Sequence, residues 1–204
     1  MSMTRNPDRL VLFTDAVVAI AVTLLVLPLV EVVTESRAEG LTALEVITDH
    51  RAQIYSFLLS FVVISSFWLN HHRVFEHVRA YTPLLIRINL LWLLAIVLLP
   101  FPTEIVGSYP STQFTAGIYT GTILALSACQ TAMTWLIQGH PQLENAEDPI
   151  SRRELNNSFL LTGLTLIAFL LAAFVPGITF YAMLLLLLSP VLMRIWDRLG
   201  KRAS

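Results

Sequence analysis

The sequence predicts an all-α membrane protein with six transmembrane helices per chain, and two observations support that fold class. Hydrophobic residues make up 55% of the 204 residues and charged residues only 13%, against roughly 25% charged in a soluble domain. The mean hydropathy is +0.69, and the apolar residues gather into long stretches separated by short polar segments. Because neither an internal repeat nor a boundary in composition is found, residues 1–204 are predicted to form a single domain.

Six apolar stretches are each long enough, at about 20 residues, to cross roughly 30 Å of hydrocarbon. They are residues 10–33, 54–69, 84–101, 114–137, 159–174 and 178–195. The polar segment between the first two stretches contains Leu44 and Ile47 at a spacing typical of a short amphipathic surface helix. Pro100 and Pro102 are expected to close the third span, because proline cannot donate a backbone hydrogen bond within a helix.

Lysine and arginine fall mainly on one side of a six-span chain. That side carries Arg5, Arg9, Arg73, Arg79, Arg87, Arg152, Arg153, Arg194, Arg198, Lys201 and Arg202. The other side carries only Arg37 and Arg51, surrounded by acids. The positive-inside rule therefore predicts that the N- and C-termini are both cytoplasmic.

Polar residues at the start of the first span predict a buried network. Arg9 and Asp15 lie at the edge of or inside an apolar helix, where a charge costs about 2.5–3.5 kcal/mol at the helix centre on insertion scales. They need partners on other helices, since their spacing of six residues does not suit an i,i+4 pair. The candidate partners share the same side of the membrane and are Asn70, His71, His72 and Asn89. Such a network would tie three helices together, with or without a role in transport.

Beyond Asp15 the first span has an apolar stripe. Ile20, Leu24, Leu27 and Glu31 follow i, i+4, i+7, i+11 spacing, and Thr23 lies beside them. Such a stripe ordinarily faces lipid or a neighbouring helix. Symmetric copies of this helix around an axis would instead form a narrow apolar pore, the kind that gates by a hydrophobic constriction.

The motif Arg9-x-x-x-Phe13-Thr14-Asp15 resembles the first-helix signature of the bacterial relatives of transmembrane protein 175, the lysosomal potassium channel. Serine usually stands where this chain has Thr14, so the hydroxyl is kept and a methyl is added. The resemblance continues in Phe67-Trp68-x-x-His71-His72-Arg73-x-Phe75, in Asn89-Leu-Leu and in Leu98-Leu-Pro-Phe-Pro102-Thr103. It covers spans one to three by motif, whereas spans four to six match in length and hydrophobicity.

The resemblance implies a homotetramer in the cell (inner) membrane, with one six-helix unit per chain and the first helix lining a central pore. It implies a potassium-preferring cation channel with passive conduction, which is not an enzyme and needs no cofactor beyond potassium as permeant ion. This chain lacks the Thr-Val-Gly-Tyr-Gly carbonyl filter of ordinary potassium channels. Selectivity among monovalent cations should be modest, because a hydrocarbon ring cannot replace a hydration shell as carbonyls do.

By position, the resemblance makes Ile20 the narrowest constriction, with Leu24 and Leu27 as further apolar layers. Thr23 would supply a hydroxyl ring that contributes to potassium preference, and Glu31 would stand at the outer mouth. The structural polar network would comprise Arg9, Phe13, Thr14, Asp15, His71, His72 and Asn89.

Two other function classes stay open at the level of sequence. The first is a proton-coupled secondary transporter that relays charge through Asp15 and the His71/His72 pair, although no inverted repeat is found. The second is a membrane metalloenzyme using His71, His72 and His77, although no metal site is expected from so few histidines. A nucleic-acid partner is not expected, because the chain has no basic tail or stripe, and the single Cys129 excludes a disulfide within one chain.

Overall fold

A computed structural model describes residues 8–146 and 148–175, and the described part is all-helical. Its helices are α1 (Asp8–Leu24), α2 (Leu27–Ala38), α3 (Ala43–Asp49), α4 (Arg51–Glu76), α5 (Pro83–Leu98), α6 (Pro100–Ser108), α7 (Gln113–Gln138) and α8 (Arg152–Phe174). Five helical stretches of this part are long and apolar enough to cross a membrane: Asp8–Ala38, Arg51–Glu76, Pro83–Ser108, Gln113–Gln138 and Arg152–Phe174. They correspond to the first five predicted spans, and the sixth, 178–195, lies outside the described residues.

The first span is a helix interrupted near its middle. α1 ends at Leu24 and α2 begins at Leu27, with Pro28 in its first turn. Because proline has no amide hydrogen, Pro28 cannot donate to the carbonyl of Leu24, and the regular i to i−4 ladder breaks there. The amide of Val26 donates instead to the carbonyl of Thr23 over 3.4 Å. Pro28 therefore divides the first predicted span into two helices.

The third span continues past the residues predicted to end it. Pro100 occupies the first turn of α6, a position where an amide hydrogen would lack a partner in any case. Leu99 keeps a helical conformation, and the Thr103 amide donates to its carbonyl over 3.1 Å. The prediction that Pro100 and Pro102 close the span was wrong, because both prolines sit where a new helix starts, and that helix runs to Ser108.

The surface helix predicted between the first two spans is confirmed as α3. Thr42 caps it: the Thr42 hydroxyl accepts from the Glu45 amide over 3.4 Å, and the Glu45 carboxylate accepts from the Thr42 amide over 2.7 Å. This reciprocal arrangement satisfies two of the backbone donors that a helix start leaves unpaired. The Glu45 carboxylate also accepts from the Thr42 hydroxyl over 2.7 Å, and this bond, followed by that from the Thr42 amide, lowers the pKa of Glu45. α3 has no buried residue, so it lies on the surface of the protomer.

α7 is the most buried span and packs against α5 on one side and α8 on the other. Gly117 and Gly121 allow the close approach to α8, since a Cβ on Gly121 would lie 3.2 Å from the ring of Phe169. Hydroxyl groups join the same helices, with Ser127 Oγ 2.8 Å from Thr162 Oγ1. The small residues of α7 therefore form a contact within one protomer.

The connection after α4 is tied to the connection before α8. The amide of Arg79 donates to the Leu143 carbonyl over 2.8 Å, and the amide of Asn145 donates to the His77 carbonyl over 2.8 Å. The imidazole of His77 faces the same segment, its Nδ1 lying 2.8 Å from the carbonyl oxygen of Asp148. These bonds hold α4, α5, α7 and α8 together at one end of the bundle.

Candidate pore helix and its buried polar network

α1 has a buried face and an uncovered face. Thr14, Val18 and Ala21 recur at helical spacing and are buried, and α1 packs with this face against α4 and α5. On another face Ile20 is 60% exposed and Leu24 is 41% exposed, although both are apolar. In a membrane protein such a face meets lipid or another copy of the chain, because water would not be a favourable neighbour.

The remaining residues predicted to line a pore lie on uncovered parts of the first span. Leu27 and Glu31 are exposed in the first half of α2, beyond the interruption that separates α2 from α1. Thr23 is exposed as well, and its hydroxyl donates to the Ile20 carbonyl over 2.7 Å. Since the hydroxyl hydrogen is engaged within the helix, the oxygen keeps its lone pairs for a group outside it.

The buried face of α1 is joined to two other helices by a chain of hydrogen bonds. The amide nitrogen of Asn89 on α5 donates to Thr14 Oγ1 over 2.9 Å. Asn89 Oδ1 lies 2.7 Å from Nε2 of His71 on α4 and accepts a hydrogen bond from it. All three side chains are fully buried, so the bonds cannot be exchanged for bonds to water, and they connect α1, α4 and α5.

A second bond, one residue further along α1, joins it to α4. The indole nitrogen of Trp68 donates to Asp15 Oδ1 over 2.8 Å. The ring of His71 is stacked between Phe75, at a centroid distance of 4.2 Å, and Trp92, at 4.5 Å. Trp68 was absent from the predicted network, although it stands in the same sequence motif as His71. Its indole nitrogen, a donor that seeks a partner when buried, is the signal that could have identified it.

Three predicted members of the network lie outside these bonds in the single protomer. Arg9 is exposed, Phe13 is 52% exposed, and the side chain of His72 is 46% exposed with its Nε2 3.7 Å from Glu76. Consecutive residues of a helix point about 100° apart, so Phe13 cannot share the direction of Thr14, nor His72 that of His71. Their membership in the network stays a prediction for the assembled protein.

The three histidines weighed as metal ligands have different surroundings. His71 faces Asn89, His72 faces Glu76, and His77 lies against Asp148. Within residues 8–146 and 148–175, no group of three or more His, Cys, Asp or Glu side chains is arranged to hold a metal ion.

The sequence and the fold both match known proteins. Residues 9–100 match the family model described as endosomal/lysosomal potassium channel TMEM175. This segment begins at Arg9 and includes every residue of the hydrogen-bonded network. The fold is similar to the crystal structure of a lysosomal potassium-selective channel TMEM175 homolog from Chamaesiphon minutus, with a TM-score of 0.71 and 26% identity over 92% of this chain and 96% of that one. The chain is therefore similar to TMEM175 channels, in sequence over residues 9–100 and in fold over 92% of its length.

Similar proteins come from bacteria and animals. A potassium channel of Streptomyces collinus is 30% identical over 132 residues, and one of Chamaesiphon minutus is 33% identical over 122 residues. The zebrafish endosomal/lysosomal proton channel TMEM175 is 20% identical over 153 residues. The chain spans 62% and 60% of the two bacterial relatives and 29% of the zebrafish protein.

Proposed function

We propose that this chain assembles as a homotetramer in the cell membrane and conducts cations passively, with a preference for potassium. The observation that supports this function best is the uncovered apolar face of α1. Ile20 is 60% exposed in a helix whose opposite face is anchored by buried hydrogen bonds. Around a symmetry axis that face would become a central pore, and the bacterial relatives are named potassium channels.

In this pore Ile20 would form the narrowest ring, and Leu24 and Leu27 would form further apolar layers. A ring of hydrocarbon side chains excludes water when it is narrow, so it closes the pore without any moving plug. Thr23 would face a partly dehydrated cation with its oxygen, because its hydrogen is bonded to the Ile20 carbonyl. Glu31 would lie at the outer mouth and raise the local cation concentration, within a Debye length of about 8 Å.

The polar network would set the position of α1 relative to α4 and α5 and would not contact the ion. Asp15→Ala removes the acceptor of the Trp68 indole and should reduce the yield of folded tetramer while leaving the ion preference of the remaining channels unchanged. Native mass spectrometry measures the yield, and reversal potentials measure the preference. Normal assembly with altered preference would assign Asp15 to the conduction pathway.

Flux through reconstituted protein tests the proposal. The purified chain in liposomes should carry a potassium current whose reversal potential follows the potassium gradient without a proton gradient. Ile20→Asn and Ile20→Gly should raise the basal current, because a polar or absent side chain lets water enter the constriction. Unchanged current in both variants would count against Ile20 as the gate.

A matched variant separates the pore from the rest of the surface. Ile167 on α8 is 48% exposed and also apolar, so Ile167→Asn makes the same chemical change on another helix. Its current should equal that of the unsubstituted chain.

A coupled transporter using Asp15 and the His71/His72 pair is the alternative function. It would need a proton gradient to move potassium, so a potassium flux that depends on a proton gradient would favour the transporter and contradict the channel.

A further inference from the structure

A cavity of about 150 Å³ lies between α4, α7 and α8, at the end of the bundle where α4 ends and α8 begins. Liquid water occupies about 30 Å³ per molecule, so the cavity has room for about five waters or one small hydrated anion. Within the described chain its lining comes from α4, α7, α8 and the loop before α8, and none from α1. The site is therefore separate from the face assigned to conduction.

Hydrogen-bond donors line this cavity from two helices. Arg73 and Asn70 come from the last turns of α4, and Asn157 and Ser158 come from the second turn of α8. The amides offer NH₂ groups, the hydroxyl offers one further donor, and the guanidinium offers a planar fork that fits a phosphate. Apolar side chains complete the wall, among them Val74, Ile150 and Leu161.

The cavity has one carboxylate and one guanidinium in its lining, those of Glu154 and Arg73, and their hydrogen bonds differ. Its acid, Glu154, is engaged already: Oε2 accepts from the amide and the hydroxyl of Ser151 at 2.8 and 2.9 Å, and Oε1 lies 3.9 Å from Nε2 of His77. Arg73 acts on Glu154 electrostatically but forms no salt bridge within residues 8–146 and 148–175. The N-terminal end of α8, where the helix dipole is positive, lies beside it.

We propose that this cavity binds the phosphate group of an anionic phospholipid. The phosphate would bond to the Arg73 guanidinium and to the Asn157 amide, and the glycerol end of the lipid would contact Val74 and Leu161. A lipid is favoured over a soluble phosphate because the cavity combines donors with apolar walls between membrane-spanning helices, as basic headgroup pockets do.

Native mass spectrometry of the delipidated full-length protein in detergent tests this site. The probes are phosphatidylglycerol, phosphatidylcholine and inorganic phosphate, each titrated alone and in competition. Phosphatidylglycerol should bind more tightly than phosphatidylcholine, and Arg73→Gln should weaken it about tenfold, the effect of losing one charge-assisted hydrogen bond. Arg73→Lys, which keeps the charge without the fork, should retain part of the affinity.

Arg79→Gln is the matched control, because Arg79 is exposed and does not line the cavity. It removes the same charge and should change the affinity less than about twofold, against about tenfold for Arg73→Gln. Equal weakening in both variants would show attraction to surface charge alone and would overturn the site. Displacement of phosphatidylglycerol by inorganic phosphate would assign the donors to a soluble anion. Both lipids carry a phosphate, so equal binding of the two would overturn the preference for an anionic phospholipid.

Discussion

The hydrogen bond between Thr14 and Asn89 offers a direct measurement of how firmly α1 is anchored. Thr14→Val removes the hydroxyl with little change in shape, and Asn89→Leu removes the amide. Asn89→Leu breaks two bonds, that of 2.9 Å to Thr14 and that of 2.7 Å to His71. Thr14→Val breaks only the first. The two single variants and the double variant therefore form a double-mutant cycle, and its coupling free energy measures the bond between Thr14 and Asn89.

The magnitude follows from bonds between membrane helices, which average about 0.6 kcal/mol and reach about 1.7 kcal/mol. We expect a coupling free energy of about 0.6–1.7 kcal/mol between Thr14 and Asn89, with Asn89→Leu alone costing about 1–3 kcal/mol because the buried imidazole of His71 loses its partner as well. A value within 0.2–0.3 kcal/mol of zero would refute the bond as an anchor, since the two side chains would then act independently.

Unfolding of the purified protein by a denaturing detergent, followed by tryptophan fluorescence, measures these free energies. Trp68 and Trp92 border the network, so their emission reports its loss. A second cycle controls for general effects of removing polar atoms. It pairs Asn89→Leu with Thr122→Val on α7, whose hydroxyl donates to the Ile118 carbonyl of its own helix over 3.0 Å. That pair shares no bond, and its coupling should be near zero.

Three further predictions concern the scaffold around the candidate pore. Gly107→Ala should destabilise the packing of α6 on α4 by about 1–3 kcal/mol, because the added Cβ would lie 3.0 Å from a backbone Cα of α4. Gly163→Ala is the control and should not destabilise the protein, because its Cβ would meet no atom within 4 Å. Unfolding by detergent measures both variants. Pro28→Ala restores a backbone donor at the interruption between α1 and α2, so hydrogen exchange of that segment should slow. Thr42→Ala should raise the pKa of Glu45 toward its ordinary value, as read by carboxyl NMR titration. At a pH above the ordinary carboxyl pKa, the lowered pKa of Glu45 contributes stability to α3. This stability is lost as the pH falls through the lowered pKa, so the stability of α3 in the variant should no longer depend on pH in this range.

Hydropathy predicted the membrane-spanning helices because in hydrocarbon every backbone polar group must bond within its own segment. The prolines show the limit of that reasoning. A proline can end a helix or begin the next one, and the choice depends on whether the preceding backbone stays helical. The backbone stays helical at Val26 and at Leu99, so Pro28 and Pro100 each begin a new helix and both spans continue past their prolines.

The sequence predicts which residues of the network need a partner better than it predicts which residues bond to each other. The cost of a buried polar group predicts that His71 and Asn89 need partners, and the structure joins them at 2.7 Å. It does not predict which neighbour serves Asp15, because that depends on how α1 and α4 are set against each other. Trp68, one helical turn before His72, takes that place. The exposure of Ile20 likewise could not be predicted from the sequence, because an apolar stripe can lie on the buried face or on the uncovered face of a helix, and packing decides which.

The hydrogen bonds on the buried face of α1 determine where the residues of its uncovered face lie. Thr14 and Asp15 fix the height and rotation of the helix through their bonds to Asn89 and Trp68, and the fully buried bond of Thr14 to Asn89 has no water with which to exchange. A shift by one residue would rotate the helix by about 100° and move it by about 1.5 Å, which breaks both bonds at once. Ile20 stands beyond this anchor on the uncovered face, so its position is set by bonds it does not make. A pore that closes with a ring of hydrocarbon needs such an anchor, because the ring has no directional interaction of its own and a small rotation would carry Ile20 out of the axis.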